Sequence, residues 1–130
     1  MRLLSLVLAC SLLLSASVCS AEIVDKEQRA RGLALAKLAT DVKELSRCTA
    51  VVSVEDLAAF GPVTQAYNRK TDELAKAIEE FVSRNADKRG KQETAFGFKY
   101  RVWDVTLQAG AEKARPVSAL NREACIALTH

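Results

Sequence analysis

Histidine, methionine and glycine are scarce in this 130-residue chain, which has one histidine, one methionine and five glycines. The chain therefore lacks the residues needed for catalysis by a Ser–His pair or for metal binding by clustered histidines, because its single histidine is the terminal His130. No glycine-rich loop for phosphate and no Cys-x-x-Cys-His motif for haem occurs. We expect no catalytic residues, no metal and no cofactor, and a binding protein rather than an enzyme. A small secreted helical enzyme stays an alternative.

A large excess of charge of either sign is also lacking. The chain has 19 Lys and Arg against 16 Asp and Glu, a formal net charge of +3. The two signs are mixed along the sequence, so we expect no nucleic-acid partner. The densest basic stretch, with Arg84, Lys88, Arg89 and Lys91, is typical of a solvated helix end, where cations suit the helix dipole.

The first twenty residues have the order of a secretory signal peptide. Arg2 is followed by the uncharged apolar run 3–18, and small residues at 18–21 offer a cleavage site. The run is shorter than the ~20 apolar residues that span a bilayer. We therefore predict a signal peptide over 1–20 and a helical domain over 21–130, in the periplasm or secreted. No stable membrane insertion is expected after cleavage.

Two of the four cysteines leave with the signal peptide, which leaves Cys48 and Cys125. An even pair in an exported chain predicts a disulfide. A reactive thiol pair is the alternative, but the spacing does not resemble Cys-x-x-Cys.

Apolar residues recur at three- and four-residue steps in most of the mature chain, which predicts an all-α fold. The expected fold is a small bundle of about four helices, with one disulfide joining the first and last. Ser53 is expected to cap a short helix, and Gly61-Pro62 is expected to break or kink the chain. The predicted helices cover about residues 24–52, 62–86, 92–110 and 117–128, with a short helical turn at 54–60.

Four of the seven aromatic residues lie within residues 96–103, and their pattern is ambiguous. Alternation along 96–102 suggests a strand, but a strand needs a partner, and only residues 49–54 offer one. A helix places the apolar residues on two stripes on roughly opposite sides. We favour the helix. Its first stripe holds Phe96, Tyr100, Trp103 and Leu107, and its second holds Phe98, Val102, Val105 and Ala109.

A surface helix buries one apolar stripe against its own core, so a helix with two stripes needs another surface to cover the second stripe. One interpretation is a central helix sandwiched between two layers. The other is a contact surface for a partner, because Trp and Tyr beside Arg is the composition of interface anchors. The partner-binding residues predicted on this basis are Phe96, Tyr100, Trp103 and Leu107, with Arg89 and Lys91 in a basic loop able to steer an acidic partner.

Two segments centred on the cysteines carry a family resemblance. Arg47-Cys48-Thr49-Ala50-Val51 and the terminal Ala124-Cys125-Ile126-Ala127-Leu128-Thr129-His130 resemble the cysteine-centred segments of periplasmic amidase-immunity proteins of type VI secretion systems. That resemblance implies a small, exported, helical, disulfide-bonded protein that binds a lytic enzyme. It supplies no binding residues for this chain.

Three functions follow as hypotheses. The first is an exported binding protein that inhibits, or gives immunity against, another exported protein such as a toxin or lytic enzyme. The second is a periplasmic acid-stress chaperone, which would bind many clients at low pH. The third is the small helical enzyme. A homodimer is compatible with each of them.

Overall fold

A computed structural model describes the backbone of residues 15–130 and the side chains of residues 29–130. Residues 15–130 contain four α-helices, two 3-10 turns and no strand, so the all-α prediction is confirmed, including its helical interpretation of residues 95–103. The α-helices are α1 (Ser15–Cys48), α2 (Leu57–Arg84), α3 (Ala95–Lys113) and α4 (Arg122–Ala127). The 3-10 turns are Ala86–Lys88 and Val117–Ala119.

The chain divides into two compact units, Met1–Leu33 and Ala34–His130. Of the first unit, only the opening part of α1 is described, and the signal peptide predicted at 1–20 lies largely outside the described residues. The second unit holds the rest of α1 and the other three helices. Within the described part of the chain, no helix has the length and apolarity to span a bilayer.

Helix α2 runs without interruption through Gly61-Pro62, where the sequence predicts a boundary between two helices. Pro62 lacks the N–H that would bond the carbonyl of Ala58, and its ring crowds the preceding residue. Gly61 has no Cβ to meet that ring, and Ala58 is exposed, so its carbonyl can bind water. The helix begins after Asp56. Ser53, the expected cap, instead accepts a hydrogen bond from the N–H of Glu55 at 3.1 Å.

The disulfide Cys48–Cys125 joins the end of α1 to α4, with 5.7 Å between the two Cα atoms. This confirms the predicted link between the first and last helices. Both cysteines are fully buried, in what we call the disulfide cluster. Its other buried members come from α1, α2 and the connections: Leu45, Val52, Ala59, Val63, Ala66 and Leu120.

Helix α4 has only six residues, too few to be stable in isolation. Both ends of α4 are held by side chains of α2 and of its N-cap residue, Asp56. The Arg122 guanidinium donates to the Asp56 carboxylate at 2.6 Å, and the Arg69 guanidinium donates to the Thr129 carbonyl at 3.0 Å. The first contact lowers the pKa of Asp56. Together with the disulfide, these contacts fix α4 on the bundle.

A second group of buried residues, the central cluster, joins α1 to α2. It consists of Leu35, Ala39, Val42, Leu74 and Ile78. Helix α3 covers it with three half-buried side chains, Val102, Trp103 and Leu107. The second half of α3 is therefore part of the core.

Helices α1 and α3 come into close contact at Gly110. A Cβ placed on Gly110 would lie 2.6 Å from both the carbonyl carbon and the Cβ of Ala39. Real Cβ atoms do not come this close to backbone atoms, so only glycine allows the two helices this separation. The contact fixes the height and rotation of α3 on α1.

The connection that follows α3 is clamped by one turn of α1. The buried Glu44 carboxylate accepts hydrogen bonds from the backbone N–H of Arg115, at 2.7 Å, and from its guanidinium, at 3.0 Å. The Arg47 guanidinium donates to the carbonyls of Ala114 and Arg115. The hydrogen bonds from Arg115 lower the pKa of Glu44, so this buried carboxylate stays ionised and paired at neutral pH.

Replacing Gly110 by Ala should destabilise the fold by about 1–3 kcal/mol, since the added methyl group forces α1 and α3 apart and outweighs the gain of about 1 kcal/mol in helix propensity. The check is chemical denaturation followed by circular dichroism. Gly32→Ala is the matched control, because no atom lies within 4 Å of its added Cβ. That variant should be neutral or slightly more stable. A Gly110→Ala protein as stable as the parent would contradict the close contact.

Removal of the disulfide in a Cys48→Ala/Cys125→Ala double variant should lower the free energy of unfolding by roughly 4–5 kcal/mol, because the bond closes a loop with a sequence separation of 77. The measurement is the guanidinium unfolding midpoint of the oxidised parent against the variant. Parent protein unfolded with a reductant present should match the variant. A difference below about 1 kcal/mol would show that the link contributes little.

Candidate functional site

The first predicted stripe of α3 divides into a buried half and an exposed half. Trp103 and Leu107 pack against the central cluster and are half-buried. One and two turns earlier, Tyr100 is 64% exposed and Phe96 is 77% exposed. Of the four stripe residues predicted to bind a partner, two therefore belong to the core and two lie on the surface.

The second predicted stripe is divided as well. Phe98 is buried and Val102 is half-buried, whereas Val105 is exposed. Ala109 is half-buried, so Val105 is the exposed member of this stripe, and α3 is not sandwiched between two layers along its whole length. The most buried positions in the second half of α3 are Thr106 and Gly110, which lie between the two stripes. Small residues permit the close contact with α1, and a pattern built on large apolar residues misses them.

The start of α3 is fixed at several points. The hydroxyl of Thr94 caps the helix by accepting from the N–H of Gly97 at 2.9 Å. The ammonium of Lys99 forms a salt bridge of 2.7 Å with Glu79 of α2. With Phe98 buried beneath, the backbone that carries Phe96 and Tyr100 is held in place.

A turn precedes α3. It is closed by a hydrogen bond of 3.0 Å from the Glu93 N–H to the Gly90 carbonyl. The Glu93 carboxylate ties this turn to the helix. It accepts from the Gly90 N–H and from two nitrogens of the Arg101 guanidinium, each at 2.9 Å. These bonds, with the Arg101 bond the largest cause, lower the pKa of Glu93 to about 2. The same guanidinium lies over the Phe98 ring, 5.3 Å from its centre.

The predicted basic residues lie in and beside this turn. Lys91 is at its corner, and Arg89 immediately precedes it. Both are exposed, and within residues 29–130 neither forms a salt bridge or a side-chain hydrogen bond. The charge of Arg89 acts on Glu93, where it contributes to the lowered pKa. We call the four exposed residues Arg89, Lys91, Phe96 and Tyr100 the aromatic–basic face.

Glu93 was not singled out from the sequence, and Arg101 entered only as the Arg beside Trp and Tyr, although these two residues join the turn to the helix. They are eight residues apart, and Glu93 lies outside the helix, so no helical spacing rule relates them. The only local hint was Thr94, a good capping residue directly before an apolar segment.

Among the side chains that the structure describes, no group of three or more His, Cys, Asp or Glu residues is placed to hold a metal ion. The aromatic–basic face offers two apolar rings and two cations. Such a surface can bind by excluding water and by attracting opposite charge.

Comparison of the chain with family models, with curated proteins and with solved structures gave no match.

The Glu93–Arg101 contact should persist to strongly acidic pH. A carboxylate whose pKa is about 2 instead of 4.5 stays ionised in the folded protein, and keeps the contact, until the pH falls through about 2. The stability that the contact contributes is fully present above pH 4.5 and is lost over the same fall. Titration of the Glu93 side-chain carbon by NMR measures this directly. In Arg101→Gln, which removes the largest cause, the midpoint should move up towards 4.5. A midpoint near 4.5 in the parent protein would refute the contact.

Proposed function

We propose that this protein is an exported binding protein that inhibits, or gives immunity against, another envelope or secreted protein, such as a toxin or lytic enzyme. The observation that carries the proposal is the pair Phe96 and Tyr100, 77% and 64% exposed one helical turn apart. Large aromatic side chains are usually covered. When two lie exposed on the same side of a helix, a partner surface is the natural covering.

The energetics of such a surface suit binding. Aromatic side chains remove about 150–250 Å² each from water when they are covered. Truncating a central anchor of this kind costs about 2 kcal/mol or more of binding free energy. Two anchors therefore supply a useful share of the affinity of a small interface.

The rigidity of the helix start supports the same conclusion. The Thr94 cap and the Lys99–Glu79 salt bridge order this region before any partner arrives. A surface that is already ordered loses less conformational entropy on binding. The backbone that carries Phe96 and Tyr100 is thus ordered before binding.

Export is supported by the signal-peptide pattern of residues 1–20 and by the Cys48–Cys125 disulfide, because such bonds persist outside the reducing cytoplasm. The two segments that resemble amidase-immunity proteins contain these same cysteines, so the disulfide brings them together. A partner in the periplasm or outside the cell accords with both features.

Affinity capture from envelope extract tests the proposal. The mature protein should retain a specific partner, and Phe96→Ala and Tyr100→Ala should each weaken that complex on the order of 10- to 30-fold. Val105→Ala is the matched control, because Val105 is an exposed apolar residue elsewhere on α3. Its dissociation constant should be within about twofold of the parent value.

All three variants should melt at the parent temperature, since the replaced side chains are exposed. Equal binding by the parent, Phe96→Ala and Tyr100→Ala would reject the aromatic pair as the contact. A loss in Val105→Ala as large as in Phe96→Ala would do the same.

A further inference from the structure

We infer that the aromatic–basic face fits an acidic protein surface, one that carries Asp or Glu carboxylates around an apolar recess for Phe96. The inference rests on the proposed function, because Phe96 and Tyr100 are its apolar centre. It adds the chemistry of the partner and gives Glu93 the role of a positioning residue.

The charge around the turn is strongly one-sided. Residues 84–101 carry six cations and two carboxylates, a net charge of +4. The cations are Arg84, Lys88, Arg89, Lys91, Lys99 and Arg101, of which Lys99 is paired with Glu79 of α2.

Only part of this positive charge is compensated within the protein. The Glu93 carboxylate is committed to Arg101 and to the backbone of Gly90. Among the described residues, Arg89 and Lys91 form no ion pair. Covering them with an apolar surface would remove their hydration without replacing it, which opposes binding. A partner that covers these two cations together with Phe96 and Tyr100 therefore needs carboxylates opposite them.

Glu93 fixes where those carboxylates have to be. Its side chain holds the turn carrying Lys91 against the helix carrying Phe96, which follows three residues later. The cations and the aromatic rings thus keep one arrangement relative to each other. A fixed arrangement gives specificity for a structured protein surface. Fluid anionic lipid headgroups adapt to any arrangement of cations and would draw no advantage from it.

Charge reversal tests the inference. With the captured protein purified as the probe, Arg89→Glu/Lys91→Glu should lower the association rate constant at least about tenfold at low salt. The difference from the parent should shrink as the ionic strength rises to about 0.3 M, where the Debye length is short. Lys76→Glu/Lys113→Glu is the matched control, with the same change in charge at two exposed lysines elsewhere. Its rate constant should change by less than about threefold.

Zero-length carbodiimide cross-linking identifies the groups in contact. Amide bonds between the Lys91 ammonium and Asp or Glu side chains of the probe protein are expected, and Lys76 should form none. In Glu93→Gln, the Lys91 cross-links should become fewer and spread over more sites, while the melting temperature stays near that of the parent. Unchanged cross-links in this variant would remove the positioning role.

The outcomes separate the two levels of the proposal. If Phe96→Ala and Tyr100→Ala leave binding intact, the proposed function fails. If they weaken binding while the reversal at Arg89 and Lys91 does not, only the acidic partner is overturned. Co-sedimentation with phosphatidylglycerol vesicles that depends on Arg89 and Lys91, without cross-links to the probe protein, would also overturn it in favour of a membrane surface.

Discussion

The contact of Gly110 with Ala39 determines how α3 lies on the rest of the bundle. Its closeness leaves no freedom in the rotation of α3, because any side chain at Gly110 would meet the backbone of α1. With that side of α3 against α1, the stripe from Phe96 to Leu107 is centred about 50° around the helix from Gly110. The central cluster covers this stripe at Trp103 and Leu107 and ends before Tyr100. The exposed aromatic pair is thus a geometric result of how the core is packed.

Arginine–carboxylate pairs help to secure the connections between the helices. Glu44 holds the connection after α3, Asp56 holds the start of α4, and Glu93 holds the turn before α3. Each carboxylate has a lowered pKa because an arginine donates to it. Paired hydrogen bonds of this kind fix the connections together with buried apolar residues such as Val52 and Leu120. The segment that carries Lys91 owes its fixed place to one of these pairs.

The helical fold and the disulfide could be predicted from the sequence because both depend on local or one-dimensional information. Apolar periodicity marks helices, and both cysteines fell on or beside apolar faces. The rotation of α3 could not be predicted, since Thr106 and Gly110 carry no hydrophobic signal although they form its most buried side. The continuity of α2 through Pro62 was missed for a related reason: Gly61 relieves the clash that normally ends a helix there. The partners of Glu44 and Glu93 lie too far along the chain for any spacing rule.

The sequence pattern predicted one binding stripe of four residues on α3, of which only Phe96 and Tyr100 are exposed in the structure. Hydrogen–deuterium exchange of the protein alone and with its captured partner tests the central claim most directly, because it shows where binding occurs without any substitution. The account predicts slower exchange over residues 89–101 in the complex and unchanged exchange over residues 117–130. Protection confined to other parts of the chain, with residues 89–101 unaffected, would contradict it.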